Sequence, residues 1–322
     1  MPANDSLGES LARRRLLVVT GKGGVGKTAV AGALARALSG GGRRVLVIEV
    51  DPRENLHRMF DLPPSGGEIV GAGDGLWLQN LKPRQVLDAI VRERLRIEAL
   101  ARRVLGSAVY RHFAEGAPGL EQVAVLGHAL RLVRGIGAES LPGGLAGQSF
   151  DQVVLDAPAT GHGVSLLSAP KLLSSVVEHG PFGEMARDLA EFVAEPGHSA
   201  VVAVTAAEEM PVEEVLDLRR RLAEQLDRTP ELLVVNGLHP PLPEEPPPDA
   251  GDDPLWRLWR RRRRLEEEEL ARLTAEWEGP RIELPLLPIE RGPELLAALA
   301  ARLAAGLGGG AGEGPRRANP WS

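Results

Sequence analysis

A glycine-rich octet, Gly21-Lys22-Gly23-Gly24-Val25-Gly26-Lys27-Thr28, constrains this chain more than any other feature. It satisfies G-x-x-x-x-G-K-[ST] at every required position, after an apolar run at 16–20 and before an Ala/Leu-rich stretch at 28–38. A strand that enters such a loop and a helix that leaves it belong to a parallel α/β sheet. The glycines let successive backbone N–H groups converge on a phosphate chain, and the helix N-terminus adds its dipole. On this reading Lys27 reaches the β- and γ-phosphates of a nucleotide, and the Thr28 hydroxyl is a Mg²⁺ ligand. Gly21, Gly23 and Gly26 also satisfy G-x-G-x-x-G, with Asp51 ending the next strand, so a dinucleotide site is the competing reading. That reading leaves Lys27-Thr28 without a role. Composition favours the phosphate loop. Of 38 basic residues only Lys22, Lys27, Lys82 and Lys171 are lysines, and two of them fall inside the octet. A tight phosphate cradle accepts a slender ammonium and not a broad guanidinium.

The rest of the chain reads as further β/α units. Strands are expected at 45–50, 153–156, 200–205, 232–236 and 282–286, with a short edge strand at 76–80. Residues 83–134 have a helical pattern broken at 116–119, with Val86, Ile90, Ile97, Leu100, Val104 and Ala108 on one stripe. Two short helices over 164–193 are interrupted near Gly180-Pro181, and further helices are expected at 212–226, 255–277 and 293–303. The expected organisation is a flexible leader at 1–14, one α/β domain at 15–305 and a disordered tail at 306–322. Within the domain, residues 83–135 and 164–196 form a helical subdomain, and seven prolines in 240–254 mark an exposed linker.

Several function classes are excluded. The chain has no cysteine, which removes disulfides, thiolate-bound zinc, iron–sulfur clusters and cysteine nucleophiles. A net charge of −6 argues against a nucleic-acid binder that relies on a broad basic field. No apolar run approaches the length of a membrane span, so no integral membrane segment is expected, and the cytoplasm is the default location.

The octet is the K-G-G-x-G-K-[ST] variant with an extra lysine at Lys22, and it resembles the loop of the ArsA, MinD and ParA class of ATPases. Three further segments resemble the ArsA family in particular. These are Asp51-Pro52-Arg53-Glu54-Asn55, Pro118-Gly119-Leu120-Glu121 and Asp156-Ala157-Pro158-Ala159-Thr160-Gly161-His162. The resemblance implies a Rossmann-like P-loop fold, a mainly parallel sheet with an inserted helical subdomain, and Mg²⁺-dependent ATP hydrolysis coupled to the opening and closing of a dimer. It implies that Lys22 reaches a phosphate in a facing subunit, that Asp51 orients the attacking water and that Asp156 holds Mg²⁺. It also implies that Thr160-Gly161-His162 senses the γ-phosphate, with Gly161 at the nucleotide, and that Asn236 contacts adenine. Read as residues alone, Asp51 and Asp156 are equally strand-end turn residues, and Asn236-Gly237 is equally a turn signal.

The partners implied are a second copy of the chain or an ArsA-like paralogue, and a membrane-protein or other protein client. The apolar residues Val164, Leu166, Leu167, Leu172, Leu173, Val176 and Val177 either pack on the core or line a client surface. The chain departs from the family in lacking cysteine, so arsenite binding by thiolates and a C-x-x-C zinc clamp are both ruled out. Two alternatives stand beside the active ATPase: a non-catalytic ATP-binding partner subunit, and a ParA/MinD-like positioning ATPase. Arg260–264 followed by Glu266–269 reads as a solvated charged helix.

Overall fold

The structure, a computed structural model, describes residues 6–40, 42–51, 53–135, 149–157, 162–241 and 253–308, with only the backbone of His162. In chain order the elements are α1 (Leu7–Arg13), β1 (Leu16–Gly21), α2 (Lys27–Ser39), β2 (Val45–Glu49), α3 (Asn55–Met59), β3 (Ile69–Gly73) and β4 (Leu76–Asn80). The helical layer follows as α4 (Pro83–Leu95), α5 (Glu98–Leu105), α6 (Ala108–Gly116) and α7 (Leu120–Arg134). Then come β5 (Gln152–Asp156), α8 (His162–Val176), α9 (Pro181–Ala194), β6 (Ser199–Thr205), α10 (Glu209–Leu226) and β7 (Leu232–Leu238). Helix α11 (Pro254–Glu276), β8 (Arg281–Pro285) and α12 (Pro293–Gly308) end the described chain.

Eight strands form one sheet in the order β3-β4-β2-β5-β1-β6-β7-β8, parallel throughout except for β3. The apolar runs explain this: a strand buried on both faces has no polar alternation to keep. Side chains alternate faces along each strand, so the runs divide between two cores. Leu16, Val18, Leu46 and Ile48 face the layer containing α4, α7, α8, α9 and α10. Leu17, Val19, Val45 and Val47 face α2 and α12. Strand β1 lies between β5 and β6, and the chain leaves it in opposite directions, towards β2 on one side and from β6 onward on the other. The crevice beyond the carboxyl end of such a strand is where α/β sheets bind ligands. The glycine octet occupies it. This is the P-loop NTPase fold.

Four sequence expectations are corrected. Residues 7–13 are helix α1 and no flexible leader: Ser6 and Glu9 form a reciprocal capping box, and Leu11 is fully buried. Strand β4 is not an edge, because β3 pairs beyond it through a hairpin whose Asp74 and Gly75 both have positive φ, 47° and 76°. Residues 83–134 are four helices, and their stripe does not hold: Ile97 is 61% and Leu100 44% exposed, and Ala108 is exposed too. Residues 306–308, expected in the tail, continue α12 with Leu307 buried, and the rest of the expected tail, 309–322, lies outside the described residues. Most of the expected linker, residues 242–252, lies outside the described residues.

Candidate nucleotide-binding site

The octet turns from β1 into α2 through three glycines with positive φ: Gly21 at 150°, Gly24 at 90° and Gly26 at 86°. At Gly26, the N-cap of α2, a Cβ would stand 2.3 Å from Asn236 Nδ2, so the position needs glycine for its backbone and for its space. Gly24, by contrast, faces open space, as does a loop that presents backbone N–H groups to a ligand. Lys27 is nearly buried, and its Nζ donates to Lys22 O at 2.9 Å. Burial lowers its pKa, while Asp156 and Glu214 act the other way.

Asp156 ends β5 beside this loop and accepts a hydrogen bond from Thr28 Oγ1 at 2.6 Å through Oδ2. Among the described residues no hydrogen-bond partner reaches its buried Oδ1. Burial pushes the Asp156 carboxyl up to about 6, with Asp51 adding to the rise and Thr28 and Lys27 opposing it. A hydroxyl and a carboxylate joined at a phosphate loop, with one carboxylate oxygen orphaned, are a donor set of the hard oxygen kind that Mg²⁺ takes. The residues fit the ion.

Asp51, directly after β2, is half-buried and well tied. Its Oδ1 accepts from Arg53 N at 2.7 Å and its Oδ2 from Asn55 Nδ2 at 3.2 Å. Asn80 at the end of β4 donates to Asp51 O at 2.7 Å. The turn-capping role is therefore physically present.

Asn236, inside β7, donates its amide to Val25 O at 2.9 Å and so braces the loop. Lys22 pairs with Glu214 of α10, Nζ to Oε1, at 3.1 Å. Residues 158–161, including Thr160 and Gly161, lie outside the described residues, as does the His162 side chain. The backbone just after them is placed: a Cβ on Gly163 would stand 2.2 Å from Thr20 Oγ1, so the start of α8 abuts β1 next to the octet.

Sequence reasoning missed Glu49 and Glu214. Glu49 lies opposite Asp156 in the ladder, is 1% exposed, and accepts from Asn55 N at 3.1 Å and Leu56 N at 3.0 Å. Burial raises its pKa to about 7, with Asp156 and Asp51 contributing to the rise. A carboxylate inside the apolar run of β2 was a legible anomaly. Glu214 carried no local signal, since it is one acid among many on α10.

The profile of the anion-transporting ATPase family (ArsA_ATPase) matches residues 14–187. ATPase BagA of Mycobacterium tuberculosis is 31% identical over 222 residues, covering 65% of this chain and 61% of its own length. An arsenical pump-driving ATPase of Acidiphilium multivorum is 30% identical over 285 residues, covering 80% of this chain and 44% of the relative. ATPase asna-1 of Caenorhabditis elegans is 29% identical over 186 residues, 52% of this chain and 50% of the relative. The chain thus spans less than two thirds of the length of these relatives. With its phosphate loop at the crevice of a parallel sheet, and with the profile matching more than half of its length, the chain belongs to the anion-transporting ATPase (ArsA) family.

Proposed function

We propose that the protein binds ATP with Mg²⁺ and hydrolyses it, and that the nucleotide drives two such subunits together in the service of a protein partner. The observation that carries this reading is the Thr28–Asp156 bond with its orphaned carboxylate oxygen, set beside a nearly buried Lys27. Thr28 and Asp156 would hold Mg²⁺, which supplies charge neutralisation to the phosphates when bound. The residues of the chain do the remaining work. The N–H groups of Gly23 to Thr28 and the Lys27 ammonium bind and orient the phosphate chain. Asn236 keeps the loop in shape from below. Asp51, held at both carboxylate oxygens, positions a water, and phosphoryl transfer needs little more than such positioning.

The assembly reading rests on Lys22. Lys27 already serves the terminal phosphates of its own loop, whereas Lys22 stands outward and half-exposed against Glu214. A second copy or an ArsA-like paralogue would bring a facing nucleotide to it. The exposed Leu172 and Val176 of α8, with Ile97 of the α4–α5 turn, make the helical layer the surface for a client protein. Among the described residues no helix is long and apolar enough to cross a membrane.

One observation favours a second reading, a binding-only partner subunit: both oxygens of Asp51 are already occupied by Arg53 N and Asn55 Nδ2. Asp51→Asn separates the two. In an active ATPase this variant keeps its ATP affinity in calorimetry while turnover falls by roughly a hundredfold or more. A wild-type protein without turnover, alone and with its paralogue, leaves the binding-only reading standing.

A further inference from the structure

Helix α11 begins Pro254-Leu255-Trp256-Arg257-Leu258-Trp259-Arg260-Arg261-Arg262-Arg263-Arg264-Leu265, twelve residues without one acid, in a chain of net charge −6. Only one side of this segment packs on the protein. At 3.6 residues per turn, Trp256, Trp259, Arg263 and Glu266 share an arc of about 80°, and all four are buried or half-buried. Leu255, Leu258 and Leu265 share another arc of about 80° and remain 74%, 57% and 46% exposed. Arg257, Arg260, Arg261 and Arg264 fill an arc of about 100°, with Arg261 nearest the leucines and Arg260 farthest from them, and Arg262 lies within the leucine arc.

The four glutamates that follow do not cancel this charge. Glu266 and Glu267 are taken by Arg263, with Glu266 also gripping His239. Glu268 pairs with Arg264, and Glu269 with Arg272 further along the helix. Arg260, Arg261 and Arg262 are exposed and make no ion pair among the described residues. Arg262 lies within the leucine arc and Arg261 about 40° from its edge, whereas Arg260 points to the opposite side, so two uncompensated guanidinium groups stand next to three exposed leucines.

We propose that this half of α11 is a docking face for an anionic lipid bilayer surface. The chemistry selects that partner. A helix lying in the interface buries its leucines among the acyl chains while its arginines reach the phosphate level on long apolar stems. A polyphosphate strand would match the arginines but give the exposed leucines nothing to do. An uncharged apolar partner would strand the arginines. The negative charge on the rest of the molecule repels the same surface, so the protein approaches with α11 foremost. Because Glu266 and Arg263 fix α11 to His239, close after β7, the face is held rigidly on the sheet and need not fold on contact.

The test is flotation of the whole chain with vesicles of phosphatidylcholine alone or containing about one third phosphatidylglycerol. The wild type should partition onto the anionic vesicles, not onto the neutral ones, and less so as salt rises. The double variant Arg261→Gln, Arg262→Gln should lose roughly thirtyfold in partition, from the ordinary worth of an arginine near such a surface, and Arg260→Gln on the far side should lose less than either alone. Leu255→Ser with Leu258→Ser should lose about tenfold or more. All five positions are exposed, so thermal melts should match the wild type and certify the fold. No partition onto anionic vesicles overturns the proposal, as does partition indifferent to the arginines. Arginine-dependent partition unchanged by the leucine variant also overturns it. So does tighter binding to a labelled oligonucleotide that ignores the leucines, which makes the partner a nucleic acid.

Discussion

The crevice at the end of β1 and the helical layer over residues 83–194 are built on opposite principles. At the crevice, apart from the side-chain pairs Thr28–Asp156 and Asn55–Asp51, polar side chains answer to the backbone: Lys27 to Lys22 O, Asn236 to Val25 O, Asn80 to Asp51 O and Glu49 to two N–H groups of α3. In the helical layer the ion pairs are between side chains at the surface, such as Arg94–Glu184 and Arg134–Asp188, and large apolar residues stand in solvent. Backbone partners cannot change rotamer, so the crevice keeps one geometry. Surface ion pairs are worth little and rearrange at small cost. Chemistry sits where the backbone fixes it, and recognition has room where side chains are free.

The largest expected effect lies at the crevice. Lys27→Ala removes the cation nearest the phosphates, and ATP affinity by calorimetry should fall by roughly a hundredfold or more, as when a buried charge partner is truncated. Removing the exposed Leu172 should leave that affinity untouched. Equal losses from the two changes would erase the contrast.

Stability should divide the same way. Gly26→Ala forces a side chain onto a backbone at φ 86° and against Asn236, a strain of about 1–3 kcal/mol read as a lowered melting temperature. Leu172→Ser, on a side chain 51% exposed, should stay within about 0.5 kcal/mol of the wild type.

What the sequence made legible follows the same line. Strands β1, β2 and β5 are built on the apolar runs at 16–19, 45–48 and 153–155, so Asp51 could be placed just past one of them and Asp156 at the end of another before any coordinates. The octet carries its own spacing. Helix α1 and the β3–β4 hairpin also had signals, the Ser6–Glu9 box and Asp74-Gly75, but a short polar segment and a glycine-rich strand offer no periodicity to weigh against a loop. The stripe through Ile97, Leu100 and Ala108 failed for a different reason. Its spacing is helical across a chain that breaks at Arg96, where φ is 52°, so residues in phase by number are not on one helix. Glu214 was beyond reach, because its partner Lys22 lies far away in sequence and is brought close only by the packing of α10.

Glu49 sharpens the comparison through pH. Its folded pKa of about 7 lies above that of a solvated carboxyl, so the folded state holds this proton more tightly than the unfolded state. Its contribution is fully present below the ordinary carboxylate range and is lost as pH rises through about 7. Asp156, at about 6, acts in the same direction. The buried His57 and His128, held below the usual imidazole range by burial, act the other way, so the readout is a difference. Without Mg²⁺ or nucleotide, the wild type should lose melting temperature relative to Glu49→Gln as pH rises from 5 to 8. A difference between the two proteins that stays constant over this interval would mean that Glu49 is not buried as described.

The smallest effect concerns the one ion pair at the crevice that resembles those of the helical layer. Lys22 and Glu214 are 23% and 44% exposed and meet at 3.1 Å, so Glu214→Ala should change stability by no more than about 1 kcal/mol. Its consequence for assembly is separate from that. If Lys22 serves a facing subunit, it must leave Glu214 to do so, and the pair opposes closure by what it is worth. Freeing Lys22 should then tighten association with a non-hydrolysable ATP analogue by up to about fivefold, with the ADP-bound protein unaffected. Lys22→Ala should weaken the same association more than it weakens nucleotide binding. Light scattering at several protein concentrations reads both. Association weakened by Glu214→Ala would reverse the assignment, making Glu214 a member of the closed interface. Association indifferent to both substitutions would leave Lys22 a surface residue like those on the helical layer.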